Sequence, residues 1–190
     1  MLKPRLDASQ VASSTQQPKT SSMTPDLYWV RDIAPLRLAL AARPRAGDWL
    51  QDELAGWKSA GIDTVVSLLE PHEARELGLA DEARACTACD IDYLSFPIAD
   101  RHTPASVDAT RKLVADLIER LRSATGVALH CRAGIGRTGL IAACVLSELG
   151  IGDTEAFAIL SAARRVPVPD TQEQEDWVLK YSNSNRPRVG

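Results

Sequence analysis

The sequence contains no long apolar run, and we do not expect its first residues to act as a secretory leader. No apolar stretch approaches the roughly 18 residues that a membrane-spanning helix requires. Residues 1–22 are rich in Ser, Thr and Gln and lack the apolar core of a signal peptide. With 45% hydrophobic and 25% charged residues, the composition is instead typical of a globular domain.

Concentrated basic charge is also missing. The chain carries 22 Lys and Arg against 25 Asp and Glu, a formal net charge of −3, without a basic run. This balance argues against a nucleic-acid groove and against a basic membrane-binding patch.

The length of 190 residues suits one domain with additional tails. We predict a disordered N-terminal extension over residues 1–26, because its polar composition cannot form a core. The domain itself should cover residues 27–181, and the polar residues 182–190 should form a flexible tail.

The four cysteines do not form a metal site or a redox motif. Cys86-x-x-Cys89 is the only close pair, and no second Cys or His pair completes a zinc site. Cys144 falls on the apolar face of a predicted helix, which indicates a core residue. The fourth cysteine, Cys131, lies in a different context.

Residues 130–139 read His-Cys-Arg-Ala-Gly-Ile-Gly-Arg-Thr-Gly. An apolar run, residues 127–129, precedes this segment, and a helical pattern follows from residue 140. The pattern predicts a strand, a tight loop and a helix N-terminus. Such a loop directs backbone N–H groups at one point, where the helix dipole adds positive potential.

This arrangement favours an oxyanion site with a nucleophile. The side chain of Arg137 can grip two phosphate oxygens, and the positive field favours Cys131 as the nucleophilic thiolate. Thr138 can donate its hydroxyl to that sulfur. The loop residues that would hold the phosphate are Arg132, Ala133, Gly134, Ile135, Gly136 and Arg137.

The segment resembles the signature of the cysteine-based phosphatases, H-C-x(5)-R-[S/T]. The resemblance implies that Cys131 attacks phosphorus, that Arg137 and the loop amides hold the phosphoryl group, and that Thr138 assists the departure of the sulfur. His130 should support the Cys131 backbone rather than act as a base. Low-molecular-weight phosphatases differ, since their cysteine loop lies near the N-terminus and their acid near the C-terminus.

A candidate general acid lies 31 positions before Cys131. Asp100 stands in Phe96-Pro97-Ile98-Ala99-Asp100, a predicted strand end followed by a loop. The segment resembles the acid loop of dual-specificity phosphatases, especially the group similar to kinase-associated phosphatase. The combination also resembles bacterial sequences. A turn residue without chemistry is the other interpretation of Asp100.

A third segment, residues 166–174, resembles the family's glutamine segment, Q-T-x-x-Q. Its second Gln falls on Gln174, which we predict to support the site, whereas the first is replaced by Asp170. We interpret Asp170 as an N-cap with Glu173 as its partner. Arg101, Arg132, Arg164 and Arg165 would form a basic rim, although Arg164 and Arg165 also fit scattered surface positions.

Strands and helices alternate along the chain. Strands are predicted over residues 27–30, 36–42, 62–69, 91–96 and 127–130. Helices are predicted over residues 48–60, 72–89 with a break at Gly78, from 103–104, from 140, and over 153–163 and 170–181. This order predicts an α/β fold whose largely parallel sheet has helices on both faces.

Asp48 with Gln51 is predicted to cap the first of these helices, and Thr103 followed by Pro104 to begin the third. One face of that third helix should carry Val107, Val114, Leu117, Ile118 and Leu121.

We therefore expect a phosphomonoesterase that hydrolyses phosphotyrosine, phosphoserine or phosphothreonine in proteins through a phosphocysteine intermediate. The alternatives are a phosphatase of phosphoinositides, nucleotides or RNA 5′ ends, and an inactive phosphoprotein-binding module. We expect no cofactor and no metal, with phosphate-like or vanadate-like anions binding in the loop. Because the thiolate needs a reducing compartment, we expect a cytoplasmic location.

Overall fold

A five-stranded sheet with helices on both faces forms the centre of the computed structural model, which describes residues 26–184. The strands are β1 (Leu27–Trp29), β2 (Leu38–Ala41), β3 (Thr64–Ser67), β4 (Asp92–Ser95) and β5 (Val127–His130). The helices are α1 (Leu50–Ser59), α2 (Pro71–Glu76), α3 (Glu82–Ala88), α4 (Val107–Arg122), α5 (Gly136–Glu148), α6 (Asp153–Arg164) and α7 (Gln172–Asn183). The predicted α/β class is confirmed. The predicted extension lies outside the described residues except for Asp26.

The strand order is β1-β2-β5-β3-β4, with only β1 antiparallel to its neighbour. β5 is therefore the central strand and pairs in parallel with both β2 and β3. His130, its last residue, lies opposite Ala41 and Ser67, which end those strands. The loop after β5 thus leaves the carboxyl edge of the sheet, where open α/β sheets bind ligands.

Successive residues of the strands enter two different apolar cores, because side chains alternate between the faces of a sheet. Leu38 and Leu40 pack with α4, α5, α6 and α7 on one face. Ala39 and Ala41 pack with α1 and α3 on the other. Helix α5 is buried along most of its length, and so is β5. The loop that joins these two elements is therefore fixed at both ends.

Helix α4 starts later than the sequence indicated. We expected Thr103 to cap it and Pro104 to occupy its first turn, and that prediction is wrong. The hydroxyl of Ser106 accepts the N–H of Ala109 at 3.2 Å and caps a helix that begins at Val107. Of the five residues predicted to share its buried face, Val114, Leu117, Ile118 and Leu121 are buried, and Val107 is half-buried against the same core.

Two further cap predictions are wrong. Asp48 lies in a 3-10 turn, Gly47–Trp49, and α1 begins at Leu50 without a side-chain cap. Asp170 does not cap α7, because Thr171 accepts the Gln174 N–H at 3.3 Å instead.

The C-terminal boundary also differs from the prediction. Helix α7 continues past Tyr181 to Asn183, and Ser182 is buried, so residues 182 and 183 belong to the fold rather than to a tail. The hydroxyl of Ser182 donates to Asp153 at 2.6 Å and fastens this last turn to α6. Residues 185–190 lie outside the described part of the chain.

The charged segment over residues 72–89 is divided, as predicted, at Gly78. Gly78 has φ +71° and separates α2 from α3. Helix α2 begins with a reciprocal cap that was not predicted from the sequence. The Glu70 side chain accepts a hydrogen bond from the Glu73 N–H, and the Glu70 N–H donates to Glu73 Oε2 at 3.0 Å. This cap fixes Glu73 beneath the loop after β5.

Candidate active site

Cys131 lies at the bottom of a cavity of about 230 Å³ at the carboxyl edge of the sheet. It directly follows β5 and is only 3% exposed. The cavity is lined by Asp100, Arg101, Cys131, Arg132, Ala133, Ile135, Gly136, Arg137, Asp170 and Gln174. The three segments that the sequence singled out therefore meet at one place.

Donors outside the cavity hold three successive carbonyls of the loop. The N–H of Arg43 donates to Arg132 O at 3.3 Å, while Arg164 donates to Ala133 O at 2.8 Å and to Gly134 O at 3.0 Å. In a trans peptide, the carbonyl and the following N–H point in opposite directions. With the carbonyls drawn outward, the following amides face the other way, which is the arrangement that an anion site needs.

Two glycines permit the close packing of this loop. Gly134 has φ +69°, and a Cβ there would lie 2.2 Å from Ala41 O. A Cβ on Gly136 would lie 2.9 Å from Gln174 Oε1. The glycines are thus required by backbone conformation and by contact with two neighbouring segments.

Arg137 is anchored from below by a carboxylate that sequence analysis missed. Its guanidinium is 2% exposed and donates to both oxygens of Glu73, at 2.6 and 3.1 Å. It also donates to Ile98 O at 2.9 Å. This two-point contact fixes the plane of the guanidinium. The only signal for Glu73 in the sequence was its position three residues after Glu70, in the capping pattern.

The pair shifts the pKa values of both partners. Burial acts most strongly and raises the pKa of Glu73, but the hydrogen bonds from Arg137 and from the Glu70 N–H, together with the charge of Arg137, outweigh it, and the net shift is downward. Burial likewise acts to lower the pKa of Arg137, and the Glu73 hydrogen bond together with the nearby Cys131 and Asp100 moves it upward instead. Both groups are therefore held in their charged forms.

Asp100 contacts the same guanidinium at Nη2, the nitrogen that also donates to Glu73 Oε1. Its Oδ1 accepts from Arg137 Nη2 at 2.9 Å, and its side chain is 54% exposed. The next residue, Arg101, has φ +62°, so the loop turns sharply after the carboxylate. Asp100 is thus a cavity-lining carboxylate with access to solvent.

Gln174 joins the acid loop to α7. Its side chain is fully buried, its Oε1 accepts the Asp170 N–H at 3.2 Å, and its Nε2 donates to His102 O at 3.0 Å. Asp170, which sequence analysis interpreted as a helix cap, lines the cavity instead. Gln174 consequently supports the position of both cavity carboxylates.

His130 and Thr138 are both fully buried next to Cys131. The Nδ1 of His130 lies 3.4 Å from Cys131 O, in agreement with a backbone-supporting position. Thr138 Oγ1 has no hydrogen-bond partner among the described residues. The predicted hydrogen bond from Thr138 to the sulfur is therefore not formed here, although the hydroxyl remains available as a donor.

Only part of the predicted basic rim faces the cavity. Arg101 and Arg132 are exposed and line it. Arg164 instead holds the outside of the loop, with its guanidinium 4.0 Å from the ring centroid of Tyr28. Arg165 lines a separate, larger cavity of about 530 Å³ beside β1. That cavity contains neither Cys131 nor Asp100, so we place the chemistry in the smaller one.

Residues 26–184 contain neither a metal-binding cluster nor a membrane-spanning helix. No group of three or more His, Cys, Asp and Glu side chains there is arranged to hold a metal ion. No helix in the same part of the chain is long and apolar enough to cross a membrane. The expectation that activity requires no metal stays a prediction.

Comparison with known proteins identifies the family. A family model described as a polymorphic toxin system DSP-PTPase phosphatase matches residues 40–151, more than half of the chain. The chain belongs to this family. The predicted membership in the dual-specificity group of protein tyrosine phosphatases is thereby confirmed, whereas the suggested bacterial origin stays a prediction.

Similar sequences carry related names. Human dual specificity protein phosphatase CDC14C is 28% identical over 127 residues, covering 65% of this chain and 26% of that protein. Protein tyrosine phosphatase PRL-1 of Leishmania major is 28% identical over 123 residues, covering 60% of this chain and 69% of that protein. The chain thus spans about a quarter of the first relative and about two thirds of the second.

Solved structures agree with the fold. Kinase-associated phosphatase, with its catalytic cysteine changed to serine, has a TM-score of 0.72 at 23% identity, covering 77% of this chain and 86% of that one. The active form of Tk-PTP has a TM-score of 0.70 at 27% identity, covering 86% of this chain and all of that one. Both place the chain among the protein tyrosine phosphatase folds.

Proposed function

We propose that the protein is a phosphomonoesterase that removes phosphate from phosphotyrosine, phosphoserine or phosphothreonine in proteins. The observation that carries this proposal is the convergence of Cys131, Arg137 and Asp100 on one cavity. A buried nucleophile, a fixed cation and an exposed acid are the groups that phosphoester cleavage by cysteine requires. The catalytic domain in this proposal begins at residue 27 and includes residues 182 and 183 at the end of α7.

In the first step, the Cys131 thiolate attacks phosphorus in line with the ester oxygen. A P–S bond forms as the P–O bond breaks, and Asp100 gives its proton to the departing oxygen. Arg137 and the loop amides bind the equatorial oxygens as negative charge develops on them. Asp100 exchanges its contact with Arg137 for the leaving group in this step.

In the second step, water attacks phosphorus and Asp100, now a carboxylate, takes a proton from it. The P–S bond breaks, inorganic phosphate forms and the thiolate is regenerated. The unpaired hydroxyl of Thr138 donates to the sulfur as it leaves. The residues that bind the phosphoryl group are the same in both steps, so one preorganised loop lowers the activation barrier of each step.

The shape and charge of the cavity support a protein substrate. The cavity has a volume of about 230 Å³, and its lining includes the exposed side chains of Arg101 and Arg132. A phosphorylated side chain fits such a site while the rest of the peptide remains outside. The cytoplasm, as a reducing compartment, would keep Cys131 in its active form.

A substrate panel tests this function. The protein is assayed with phosphotyrosine, phosphoserine and phosphothreonine peptides, with a phosphoinositide, with a nucleotide and with an RNA 5′ phosphate. We expect the highest kcat/KM on one of the peptides and no activity in Cys131→Ser. If the enzyme prefers the phosphoinositide, the nucleotide or the RNA, that class of compound is its substrate and the proposal of a protein substrate is wrong. The absence of all turnover, including that of an aryl phosphate, would indicate a binding module.

A further inference from the structure

Two arginines that line the active-site cavity have no partner for their side chains. Arg101 lies in the acid loop between β4 and α4, and Arg132 directly follows Cys131 in the nucleophile loop between β5 and α5. Both are exposed, and within residues 26–184 neither guanidinium has a hydrogen bond, an ion pair or a ring contact. The phosphatase mechanism described above uses neither guanidinium group.

The other arginines at this site are engaged in holding it together. Arg137 donates to Glu73 and Asp100, and Arg164 donates to two carbonyls of the nucleophile loop. A guanidinium carries five N–H donors in a planar fork that matches two oxygens of a carboxylate or a phosphate. Arg101 and Arg132 keep this capacity free for a ligand.

The backbone of Arg101 has a conformation that a long side chain rarely adopts. Its φ is +62°, in the left-handed region. The other non-glycine residues with positive φ in the described part of the chain, Asp90, Ala124 and Arg165, follow the ends of α3, α4 and α6, where this conformation commonly terminates a helix. Arg101 follows no helix. Glycine would adopt this conformation more easily, and such unfavourable backbone positions cluster at ligand sites.

Hydrogen bonds fix the backbone from which each of the two side chains extends. The neighbours of Arg101 are both held, Asp100 by Arg137 at 2.9 Å and the His102 carbonyl by Gln174 at 3.0 Å. In the nucleophile loop, the carbonyl oxygen of the second arginine accepts a backbone N–H from the segment after β2 at 3.3 Å. Little ordering of the backbone is therefore needed when a ligand binds these side chains.

Asp170, the other exposed carboxylate of the cavity lining, does not neutralise either arginine. Its N–H donates to Gln174 Oε1 at 3.2 Å, and a Cβ on Gly136 would lie 3.0 Å from its own Cβ. It therefore lies against the residue that begins α5, whereas Arg132 is at the β5 end of the same loop. The lining thus carries two exposed cations that no anion of residues 26–184 pairs with.

We propose that Arg101 and Arg132 form a second anion subsite, which selects peptides that carry a further negative charge beside the phosphorylated residue. This inference rests on the proposed function and names the class of phosphopeptide that the site prefers. The phosphoryl group to be removed binds to Arg137 and the loop amides. A carboxylate or a second phosphate on a neighbouring residue of the same peptide binds to the two exposed guanidinium groups.

A peptide series assayed with the native protein tests this preference. The peptides share one phosphorylated residue and differ at a single neighbouring position, which holds glutamine, glutamate, lysine or a non-hydrolysable phosphonate analogue of phosphoserine. Since one exposed ion pair changes an equilibrium by up to about fivefold, two should raise kcat/KM for the glutamate peptide about tenfold over the glutamine peptide. The phosphonate arm shows whether a second phosphate is bound better than a carboxylate. Equal kcat/KM across the series, at every neighbouring position, overturns the proposal.

Variants test whether these two arginines carry the preference. In Arg101→Gln and Arg132→Gln the readout is the ratio of kcat/KM between the glutamate and glutamine peptides, so a general loss of activity cancels. Each change should lower the ratio to about a third of the native value, and the double variant should lower it to about one. Arg165→Gln is the matched control, because Arg165 is also exposed with positive φ but does not line this cavity. An equal fall in Arg165→Gln would indicate a general field and would overturn the subsite.

A binding measurement separates failure of the subsite from failure of the proposed function. If no peptide is turned over, the proposed function is wrong, and fluorescence polarisation with Cys131→Ser then compares its affinities for the glutamate and glutamine peptides. A ratio near ten supports the subsite, and a ratio near one, or no binding, overturns it. Turnover of a phosphoinositide that rises with a second phosphate, without any preference among the peptides, also overturns it, since a lipid headgroup would then be the ligand.

Discussion

Two loops line the cavity and are held in opposite ways: the nucleophile loop between β5 and α5, and the acid loop between β4 and α4. The nucleophile loop is buried: Cys131 is 3% exposed, and three loop carbonyls are bound by Arg43 and Arg164. The acid loop is open: the Asp100 side chain is 54% exposed. Contacts from Arg137 to the loop and from Gln174 to His102 O hold it over the cavity.

The difference corresponds to two chemical tasks. Stabilising developing charge requires dipoles that are fixed before the reaction, because their reorganisation would add to the barrier. Donating a proton to leaving groups of different shape requires a group that can adjust. The buried loop should therefore determine whether any phosphoester is cleaved, and the open loop should determine which leaving groups depart easily.

The largest effect should come from the centre of the buried loop. In Arg137→Lys the ammonium cannot reproduce the two-point contacts of the guanidinium. We expect kcat/KM to fall by at least roughly 10²–10³-fold, as for the loss of an oxyanion donor, for all substrates alike. Steady-state kinetics with an aryl phosphate and a phosphopeptide provide the check. A loss confined to the phosphopeptide would indicate that Arg137 acts on the departure of the leaving group, the function expected of the acid loop.

Asp100→Asn should distinguish the function of the acid loop from that of the nucleophile loop. A nitrophenolate leaves with little help, whereas a serine or threonine alkoxide needs a proton. We expect a loss of roughly 10²–10⁴-fold on a phosphothreonine peptide and a much smaller loss on nitrophenyl phosphate. The variant should also lack the basic limb of the pH–rate profile. An equal loss on both substrates would shift attention to Asp170, the other carboxylate lining the cavity.

Arg164→Ala should loosen the buried loop from outside. Without its donors to Ala133 O and Gly134 O, the amides are less fixed, so vanadate affinity and kcat/KM should both fall by about tenfold, the cost of roughly 1.4 kcal/mol. Arg165→Lys is the matched control, since Arg165 does not line this cavity. An Arg164→Ala enzyme with native vanadate affinity would show that the outer contacts are not needed.

Gln174→Ala should loosen the open loop. Losing the hydrogen bond to His102 O should lower phosphothreonine turnover several-fold, the net value of about 1 kcal/mol for one hydrogen bond. Vanadate affinity and turnover of nitrophenyl phosphate should change less. Competition assays with vanadate, run beside both substrates, give this comparison. Equal losses in Gln174→Ala and Arg164→Ala on every readout would remove the distinction between the loops.

The smallest effect concerns the anchor beneath Arg137. Because the pKa of Glu73 is lower in the folded protein than in the unfolded chain, its carboxylate stabilises the fold above its ordinary pKa. That contribution is lost as the pH falls from about 4 toward the folded value. The unfolding free energy of Glu73→Gln should therefore fall less than that of the native protein as the pH is lowered through this range, as urea titrations at several pH values would measure.

The sequence predicted the buried loop better than the open one. Its glycines, cysteine and arginine are contiguous, so one short segment with a strand before it and a helix after it specifies position and chemistry together. The alternation of apolar segments likewise predicted the sheet, and α6 matches its predicted range to within one residue.

The remaining features depend on contacts between distant segments. Glu73 lies 64 positions from Arg137, and nothing local indicates that the two meet. Asp170 and Glu173 satisfy a capping pattern, yet Thr171 has the backbone position from which a side chain reaches Gln174 N–H. Likewise, Ser106 rather than Thr103 has the backbone position from which a side chain reaches the Ala109 N–H and caps α4. Several polar residues near a helix start satisfy the local rule, and packing selects among them.

The central claim is that Cys131 carries the phosphoryl group between the two steps. Rapid quenching in acid during turnover, followed by mass spectrometry of the peptide that contains residues 130–137, tests it most directly. The account predicts a phosphoryl group on Cys131 that forms and decays at rates consistent with turnover and that is absent from Cys131→Ser. Steady turnover without phosphoryl transfer to Cys131, or with the group on another residue, would contradict it.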